Sequence, residues 1–500
     1  MKRAKAVMVQ GTGSGVGKSV LVSALCRIFL QDGFNVAPFK AQNMALNSFV
    51  TADGGEIGRA QATQALACGK KPTVHMNPVL IKPSSDRRAQ IILRGRPVKN
   101  MSVYEYKRFK KTVFGKVKES LDKLSGENDI VVIEGAGSPA EVNLKSHDMV
   151  NMKIAALASA PVILVGDIDK GGVFAWLIGT LELLDPGERR MVKGFIINKF
   201  RGDKRLLMPG LRFLEDRTGI KVLGVIPYYH DIKLPEEDSL PVESREGAFD
   251  ARKIKIAVAA LPHMSNFDDF DALEQEEDVS LVYTRDCRGL NGADVIILPG
   301  TKNTIGDMAW LKKSGLARKL STVNRQRSAV IVGICGGYQM LGRAIRDTGG
   351  VESGNKETEG LGMLPISTAM GEEKVLSQVK GRFLSSGMEI TGYEIHHGRT
   401  KIGRGASAAV KITEFRNRPS ARLDGAGSAD GRCWGTYVHG IFDNDAFRRD
   451  FLNGIRRRKG WAAAGGRRKH DPDGQIDKLS ALVRDNIDMG YLRKIVLKGA

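Results

Sequence analysis

No apolar run in the 500 residues approaches the roughly 20 needed to cross a bilayer; runs such as Ile130 to Ile133 or Ala329 to Val332 have strand length. An integral membrane protein is therefore not expected. The basic start Met1-Lys2-Arg3-Ala4-Lys5 has the flavour of a secretion signal, but the apolar stretch after it, Ala6 to Val9, ends at once in a glycine loop, and a first strand is expected there. Cysteine is scarce. Cys26, Cys68, Cys287, Cys335 and Cys433 are odd in number, scattered, and contain no C-x-x-C pair for zinc or redox work. The expectation is a cytoplasmic protein without structural disulfides. Tandem repeats of the solenoid kind are absent.

What is present is the mix of a globular protein, 42% hydrophobic and 27% charged, in a chain long enough for roughly two to four domains. The net charge of +21 invites a polyanion partner, but its distribution argues for a solvated surface. From Asp445 onward there are fourteen Lys and Arg against seven Asp, concentrated around Arg456-Arg457-Arg458-Lys459 and Arg467-Arg468-Lys469. Neither a nucleic-acid nor a membrane partner is expected.

Short β-branched runs alternate with longer helical patterns from Ala4 to about Pro227: Ala6 to Gln10, Asn35 to Phe39, Asp129 to Glu134, Pro161 to Asp167, Gly194 to Asn198 and Val222 to Pro227. That rhythm predicts a parallel sheet covered by helices. After an aperiodic polar stretch it restarts at Lys255 to Leu261, Val279 to Tyr283, Val295 to Leu298, Ala329 to Ile334 and Gly435 to Val438. The fold class is α/β with two doubly wound domains: residues 1–233, a linker at 234–252, residues 253–450, and a basic appendage at 451–500. The last segment carries an amphipathic helix, Ile476 to Met489, expected to belong with the second domain.

The first chemical constellation is Gly11-Thr12-Gly13-Ser14-Gly15-Val16-Gly17-Lys18-Ser19, between a strand and the helical run Val20 to Leu30. Glycines let backbone N–H groups converge on phosphate oxygens, Lys18 reaches the outer phosphates, and the Ser19 hydroxyl suits Mg²⁺. ATP is the expected ligand, held by Gly11, Thr12, Gly13, Gly15, Val16, Gly17, Lys18 and Ser19. Strict spacing would put glycine where Thr12 stands; the shift to Gly11 resembles the dethiobiotin-synthetase branch of P-loop NTPases. Magnesium wants a nearby carboxylate, and Glu134 ends the apolar strand Ile130 to Ile133, where an open α/β sheet places its ligand crevice. Asp167 ends the next strand and is a second metal candidate, with Ser19 as the hydroxyl ligand. Lys40, ending the strand Asn35 to Phe39, points toward the same edge and suits a transferring phosphate or an acidic substrate.

The second constellation, Val330-Ile331-Val332-Gly333-Ile334-Cys335-Gly336-Gly337-Tyr338-Gln339, reads strand, sharp turn, helix, with cysteine at the corner, the G-x-C-x-G analogue of a nucleophile elbow. A helix N-terminus there favours an anionic nucleophile. The Gly336 N–H suits an oxyanion hole, with a second donor at Gly300 in Leu298-Pro299-Gly300-Thr301. The partner imidazole is left open by the residues alone: His439 follows a strand end, and His396 and His397 compete with it.

A phosphate loop followed by a glutaminase-type cysteine suggests carboxylate activation by ATP and amination by ammonia from glutamine. Several further segments resemble one family, in order along nearly the whole chain: Lys40-Ala41-Gln42-Asn43-Met44, Gly55-Glu56-Ile57-Gly58-Arg59, Asn77-Pro78-Val79-Leu80-Ile81-Lys82-Pro83, Glu134-Gly135-Ala136-Gly137, Asn198-Lys199-Phe200-Arg201-Gly202-Asp203 and Ser265-Asn266-Phe267-Asp268-Asp269-Phe270-Asp271. The resemblance is to the cobyric acid synthase family of cobalamin-pathway amidotransferases. It implies a class I glutamine amidotransferase-like second domain, Cys335 as nucleophile with His439 as its partner, and ATP- and glutamine-dependent amidation of the b, d, e and g carboxylates of adenosylcobyrinic acid a,c-diamide. Class I relatives carry His-x-Glu, yet Ile441 stands two residues after His439, so the imidazole needs another carboxylate: Asp443, or one from elsewhere. The related cobyrinic acid a,c-diamide synthases typically show a Lys-Val-Gly-Pro-Asp run where this chain has Lys40 to Met44. A ParA/MinD-like ATPase would carry a second, early lysine in its phosphate loop, which is missing here.

Overall fold

The computed structural model describes residues 3–85, 88–145, 148–235, 249–352, 356–465 and 470–498. Most of the expected linker and the run Arg467-Arg468-Lys469 lie outside the described residues. Six largely apolar strands form the first sheet: β1 (Lys5–Gly11), β2 (Val36–Phe39), β3 (Ile130–Glu134), β4 (Val162–Asp167), β5 (Val192–Phe200) and β6 (Val222–Pro227). They lie parallel in the order β6-β5-β4-β1-β3-β2. Every residue of β3 and β4 is buried, as a sheet covered on both faces requires. The winding reverses at β1, so the loop after it, the end of β3 and the end of β4 open onto one crevice. Helix α1 (Lys18–Gln31) follows β1, and α2 (Arg59–Ala67) lies between β2 and β3.

The second domain repeats the plan. Strands β7 (Ile254–Ala259), β8 (Val279–Thr284), β9 (Val295–Leu298) and β10 (Val330–Ile334) are joined by α3 (Thr304–Lys313) between β9 and β10, and α4 (Gly336–Met340) follows the last of them. A long hairpin that the strand rhythm did not reveal comes next, β11 (Ile366–Phe383) against β12 (Glu389–Ile402). Then follow β13 (Ala406–Ser407), β14 (Ala426–Ser428), β15 (Cys433–Thr436) and β16 (Val438–His439). The main sheet runs β8-β7-β9-β10-β15-β14-β13, parallel across its first five strands. The strand expected at Gly435 to Val438 is split: Cys433–Thr436 completes the parallel sheet, whereas Val438–His439 turns away to pair antiparallel with β12. That turn carries His439 from one sheet to the other.

Two boundaries need correction. Residue 450 falls inside α5 (Asp445–Arg458), whose Phe447, Leu452 and Ile455 are buried in the second domain's core. The appended helix, α6 (Pro472–Asn486), packs on the first domain instead of the second. Its Ile476, Leu479 and Val483 join Leu21, Leu25 and Ile28 of α1 in one buried cluster. Ion pairs hem the contact, Arg27 to Asp473 at 2.5 Å and Arg484 to Asp32 at 3.0 Å. An amphipathic face shows that a helix must dock, not on what. Among the described residues no helix is long and apolar enough to cross a membrane.

Candidate active site

The phosphate loop is shaped by contacts that only its glycines permit. Gly17 has φ +99°, and a Cβ there would stand 2.1 Å from Asn198 Nδ2, which donates to Val16 O at 2.9 Å. Gly11 closes β1, and the Thr12 N–H donates to Val165 O at 3.0 Å, pinning the loop to β4. Lys18 folds back over the loop, its Nζ donating to Gly13 O at 2.7 Å and Gly137 O at 3.2 Å. Around it the structure brings together three of the expected residues. Glu134 Oε1 accepts from Ser19 Oγ and from Lys40 Nζ, each at 2.8 Å, while Oε2 accepts from Gln64 Nε2 of α2. Lys40 is thus a buried partner of Glu134 on the cleft wall. Asp167 is placed differently: its Oδ2 pairs with Lys199 Nζ at 2.9 Å, and Lys199 donates to Gly15 O at 2.7 Å, so this carboxylate meets the loop through a lysine. The Ser19 hydroxyl and the Glu134 carboxylate supply two adjacent hard oxygens, the incomplete set that Mg²⁺ uses alongside phosphate oxygens and water. Gln64 escaped the motif reading, and Lys199 stood in a quoted segment without a site role; its signal was its place at the end of β5.

These groups open into a cleft of about 1270 Å³ lined by Gly15, Lys18, Ser19, Lys40 and Lys199 from the first domain and by Phe267, Asp271 and Gln275 from the second. Cations and aromatic rings share its wall, with Tyr228 and Tyr229 near the loop.

Cys335 sits at a sharp corner between β10 and α4, with φ +50° and ψ −107°, outside the regions an L-residue ordinarily occupies. Small neighbours make the corner possible: a Cβ on Gly337 would lie 2.0 Å from Leu298 O. The thiol is buried, its Sγ 3.7 Å from Ile395 O. It lines a narrow cavity with Gly336, Thr301, His396, His397 and His439. Gly300 stands just behind, where a Cβ would come within 3.2 Å of His439 Cε1; its neighbour Thr301 is the one on the cavity wall.

Of the three candidate imidazoles, only His439 has a carboxylate oxygen on its Nδ1, and that carboxylate is not Asp443. Asp269 Oδ2 lies 2.7 Å from His439 Nδ1, and Asp269 Oδ1 accepts the Gly440 N–H at 2.8 Å. The fork fixes ring and strand together. Asp443 Oδ2 lies 3.3 Å from where a Cβ on Gly440 would stand, and burial pushes its carboxyl up to about 7 against the pull of Arg59. His396 and His397 turn Nδ1 to backbone oxygens, Gly398 O at 2.8 Å and Gly371 O at 3.1 Å. Burial disfavours a charged His439, but Asp269, with Cys335 adding to it, outweighs burial and pushes the imidazole up to about 10. The Tyr393 ring stacks on it at 5.3 Å. Nε2 is buried and has no hydrogen-bond partner among the described residues, which leaves it for chemistry at the cavity. Asp269 was visible in sequence only as one acid among three in Asp268-Asp269-Phe270-Asp271.

The segment around Asp269 also joins the domains. Asn266 Nδ2 donates to Ser48 O and to Tyr393 Oη, both at 2.7 Å, and Asp268 pairs with Arg59 of α2 at 3.0 Å. Ser265 and Asn266 line the thiol cavity, while Phe267 and Asp271 line the nucleotide cleft. One loop therefore forms a wall of both sites.

Residues 7–242 match the CobQ/CobB/MinD/ParA nucleotide binding domain, and residues 255–447 match the CobB/CobQ-like glutamine amidotransferase domain. Cobyric acid synthase of Dehalococcoides mccartyi (strain CBDB1) is 50% identical over 504 residues, covering 99% of each chain. The chain belongs to the cobyric acid synthase family. Cobyric acid synthase of Pelotomaculum thermopropionicum is 48% identical over 97% of this chain and 95% of its own, and that of Moorella thermoacetica 49% identical over 99% and 97%. The nucleotide binding match precedes the glutamine amidotransferase match, the order in which the two sites occur along the chain.

Proposed function

We propose that the chain amidates the b, d, e and g carboxylates of adenosylcobyrinic acid a,c-diamide, with ATP as the activating agent and glutamine as the nitrogen source. The observation that carries this reading is the shared wall Ser265 to Asp271, which sets a cysteine–histidine–aspartate site beside a phosphate-binding cleft wide enough for a macrocycle. A carboxylate is a poor acylating agent at neutral pH. Transfer of the γ-phosphoryl group to it yields an acyl phosphate and ADP, and ammonia then displaces phosphate to leave the amide. Lys18 and the loop N–H groups would hold the transferring phosphate, and Lys40 would add positive charge at the same wall. Ser19 and Glu134 would hold Mg²⁺, with Asp167 supporting the loop from Lys199; the ion, when bound, offsets phosphate charge.

At the other site Cys335 Sγ attacks the glutamine side-chain amide carbon, with Gly336 N–H and a donor at Gly300 or Thr301 facing the developing oxyanion. His439, oriented by Asp269, passes a proton to the departing ammonia, and water then cleaves the glutamyl thioester to glutamate with His439 as base. Ammonia stays reactive only while unprotonated, so a short route past Asn266 and Phe267 suits it better than bulk water. Small molecules suffice as partners, and five free cysteines suit a reducing cytoplasm.

The test is to incubate the protein with ATP, glutamine and the a,c-diamide and follow amide additions by mass spectrometry. Additions at b, d, e and g are expected. No addition to the a,c-diamide, with amidation of the unamidated corrin instead, would shift the assignment to an a,c-diamide synthase.

A further inference from the structure

Three lysines, Lys82, Lys302 and Lys374, line the cavity that holds Cys335, against a single acidic residue, Glu352. Two of the three are tied down. Glu56, buried beneath them at the domain interface, accepts from Lys82 Nζ at 3.0 Å and from Lys374 Nζ at 2.5 Å, and Lys82 also donates to Ser48 Oγ at 2.9 Å. Despite its burial, the two ammonium groups hold the Glu56 carboxyl far below the usual carboxylate range. Lys302 is the exception. It is 6% exposed, its side chain makes no hydrogen bond or ion pair among the described residues, and it stands on the loop that runs from Gly300 past Cys335 to α3. A buried ammonium that makes no direct ion pair or hydrogen bond is costly unless a ligand supplies one. Burial, with Lys374 beside it, lowers its affinity for the proton against the opposing pull of Glu352.

Glu352 is the complementary half. Its Oε2 accepts from Thr304 Oγ1 at 3.0 Å and from the Thr304 N–H at 3.3 Å, which fixes the carboxylate at the start of α3, on the same cavity wall as Lys302. Neither residue touches the Cys335–His439–Asp269 chain through a hydrogen bond. Both line the cavity that an amino acid with its amide against Cys335 would enter.

We infer that Lys302 and Glu352 form a clamp for the α-amino-acid head of glutamine, Lys302 taking the α-carboxylate and Glu352 the α-ammonium. The inference rests on the glutaminase reading of this cavity and adds the residues that select an amino acid over a plain amide. With the clamp engaged, the zwitterion neutralises both groups, and the side-chain amide is held at a fixed reach from Sγ.

Two analogues of glutamine separate the halves: 4-aminobutanamide, which lacks the α-carboxylate, and glutaramate, which lacks the α-ammonium. For the unaltered protein, ammonia release from each should fall roughly 10- to 100-fold in kcat/KM below glutamine, the usual loss when a hydrogen bond to a buried charge goes unmade. Lys302→Met should then lower kcat/KM for glutamine by a similar factor, mainly through KM, while leaving 4-aminobutanamide no worse than before; Lys302→Arg should restore part of it. Glu352→Gln should behave in the same way toward glutaramate. Equal turnover of glutamine and both analogues by the unaltered protein would overturn the clamp even if neither variant folded. So would a Lys302→Met variant that loses the same factor on all three amides, since that pattern places the lysine's effect at the reacting carbon. Failure of the unaltered protein to release ammonia from glutamine at all would instead remove the glutaminase reading itself.

Discussion

The two sites occupy the same place in their sheets, the carboxyl ends of parallel strands, yet they are built in opposite ways. The phosphate loop opens on a cleft of about 1270 Å³, and its cations reach backbone oxygens, Lys18 those of Gly13 and Gly137 and Lys199 that of Gly15. A ligand that brings phosphate oxygens would compete with these internal acceptors. The thiol site is narrow and already fixed, with Cys335, His439 and Asp269 all buried or nearly so and the imidazole held before any substrate arrives. The difference follows from the chemistry: phosphoryl transfer is served by charge that follows a moving group, whereas amide cleavage needs a nucleophile and an acid held to within fractions of an ångström.

The hardest break between the sites is also the largest effect. Cys335→Ala should reduce glutamine-dependent amidation by at least about 10⁴-fold, the scale on which cysteine and serine nucleophiles are missed, while high external ammonium still supports amidation. Lys18→Ala should remove about 10³-fold with either nitrogen source, because it acts on the phosphate that both routes share. Corrin mass spectra with glutamine and then with ammonium as donor check both; a Cys335→Ala protein dead with ammonium as well would end the division of labour.

Asp269 sharpens the comparison within the thiol site. Asp269→Asn should cost about 10²-fold or more in glutaminase kcat, since an amide can hold the ring yet cannot stabilise its charge. The pH profile gives the sign. Burial alone lowers the imidazole's affinity for protons and Asp269 is what raises it to about 10, so the variant's alkaline limb should move to lower pH by more than about one unit. Because this folded-state value lies above that of the unfolded chain, the pair's stabilisation is complete below about pH 6.5 and fades as pH rises toward 10. Asp443→Asn, by contrast, should leave the alkaline limb in place.

What could be read in the sequence was what is local. The glycine loop and the cysteine corner are each encoded within ten residues or so, because backbone geometry and chemistry coincide there: Gly17 at positive φ, Cys335 at a turn that tolerates only small neighbours. The strands of both parallel sheets were legible as buried apolar runs. Asp269 was not, because it reaches His439 across 170 positions, and nothing near His439 records which distant carboxylate arrives. The split at Tyr437 was hidden for a related reason, since one β-rich run, Cys433 to His439, serves two sheets. The closing helix showed its apolar face but not the partner for it.

A smaller effect tests whether the shared wall couples the sites. Arg59 belongs to α2, the helix whose Gln64 reaches Glu134, and its guanidinium pairs with Asp268, the residue before Asp269. Arg59→Ala leaves Asp268 buried without its counterion and loosens the loop that holds Asp269. Glutaminase activity should fall roughly tenfold, with Arg59→Lys restoring part of it, whereas ammonium-dependent amidation should fall less. Equal losses in both assays would mean that the pair holds the domains together without aligning the triad.

The smallest expected effect on chemistry comes with a measurable one on stability, and it lies on the corrected edge of the molecule. Leu479 of α6 is fully buried against α1, the helix that begins at Lys18. Leu479→Ala removes three carbons from a packed core and should lower unfolding stability by about 2–5 kcal/mol. Since α6 covers the first domain and not the second, the loss should appear in the first domain's unfolding transition and be offset by added ATP, which binds that domain's folded form, but not by glutamine. Glutamine hydrolysis at low temperature should be unchanged. Calorimetry with each ligand in turn reads this directly: protection by glutamine alone would return α6 to the second domain.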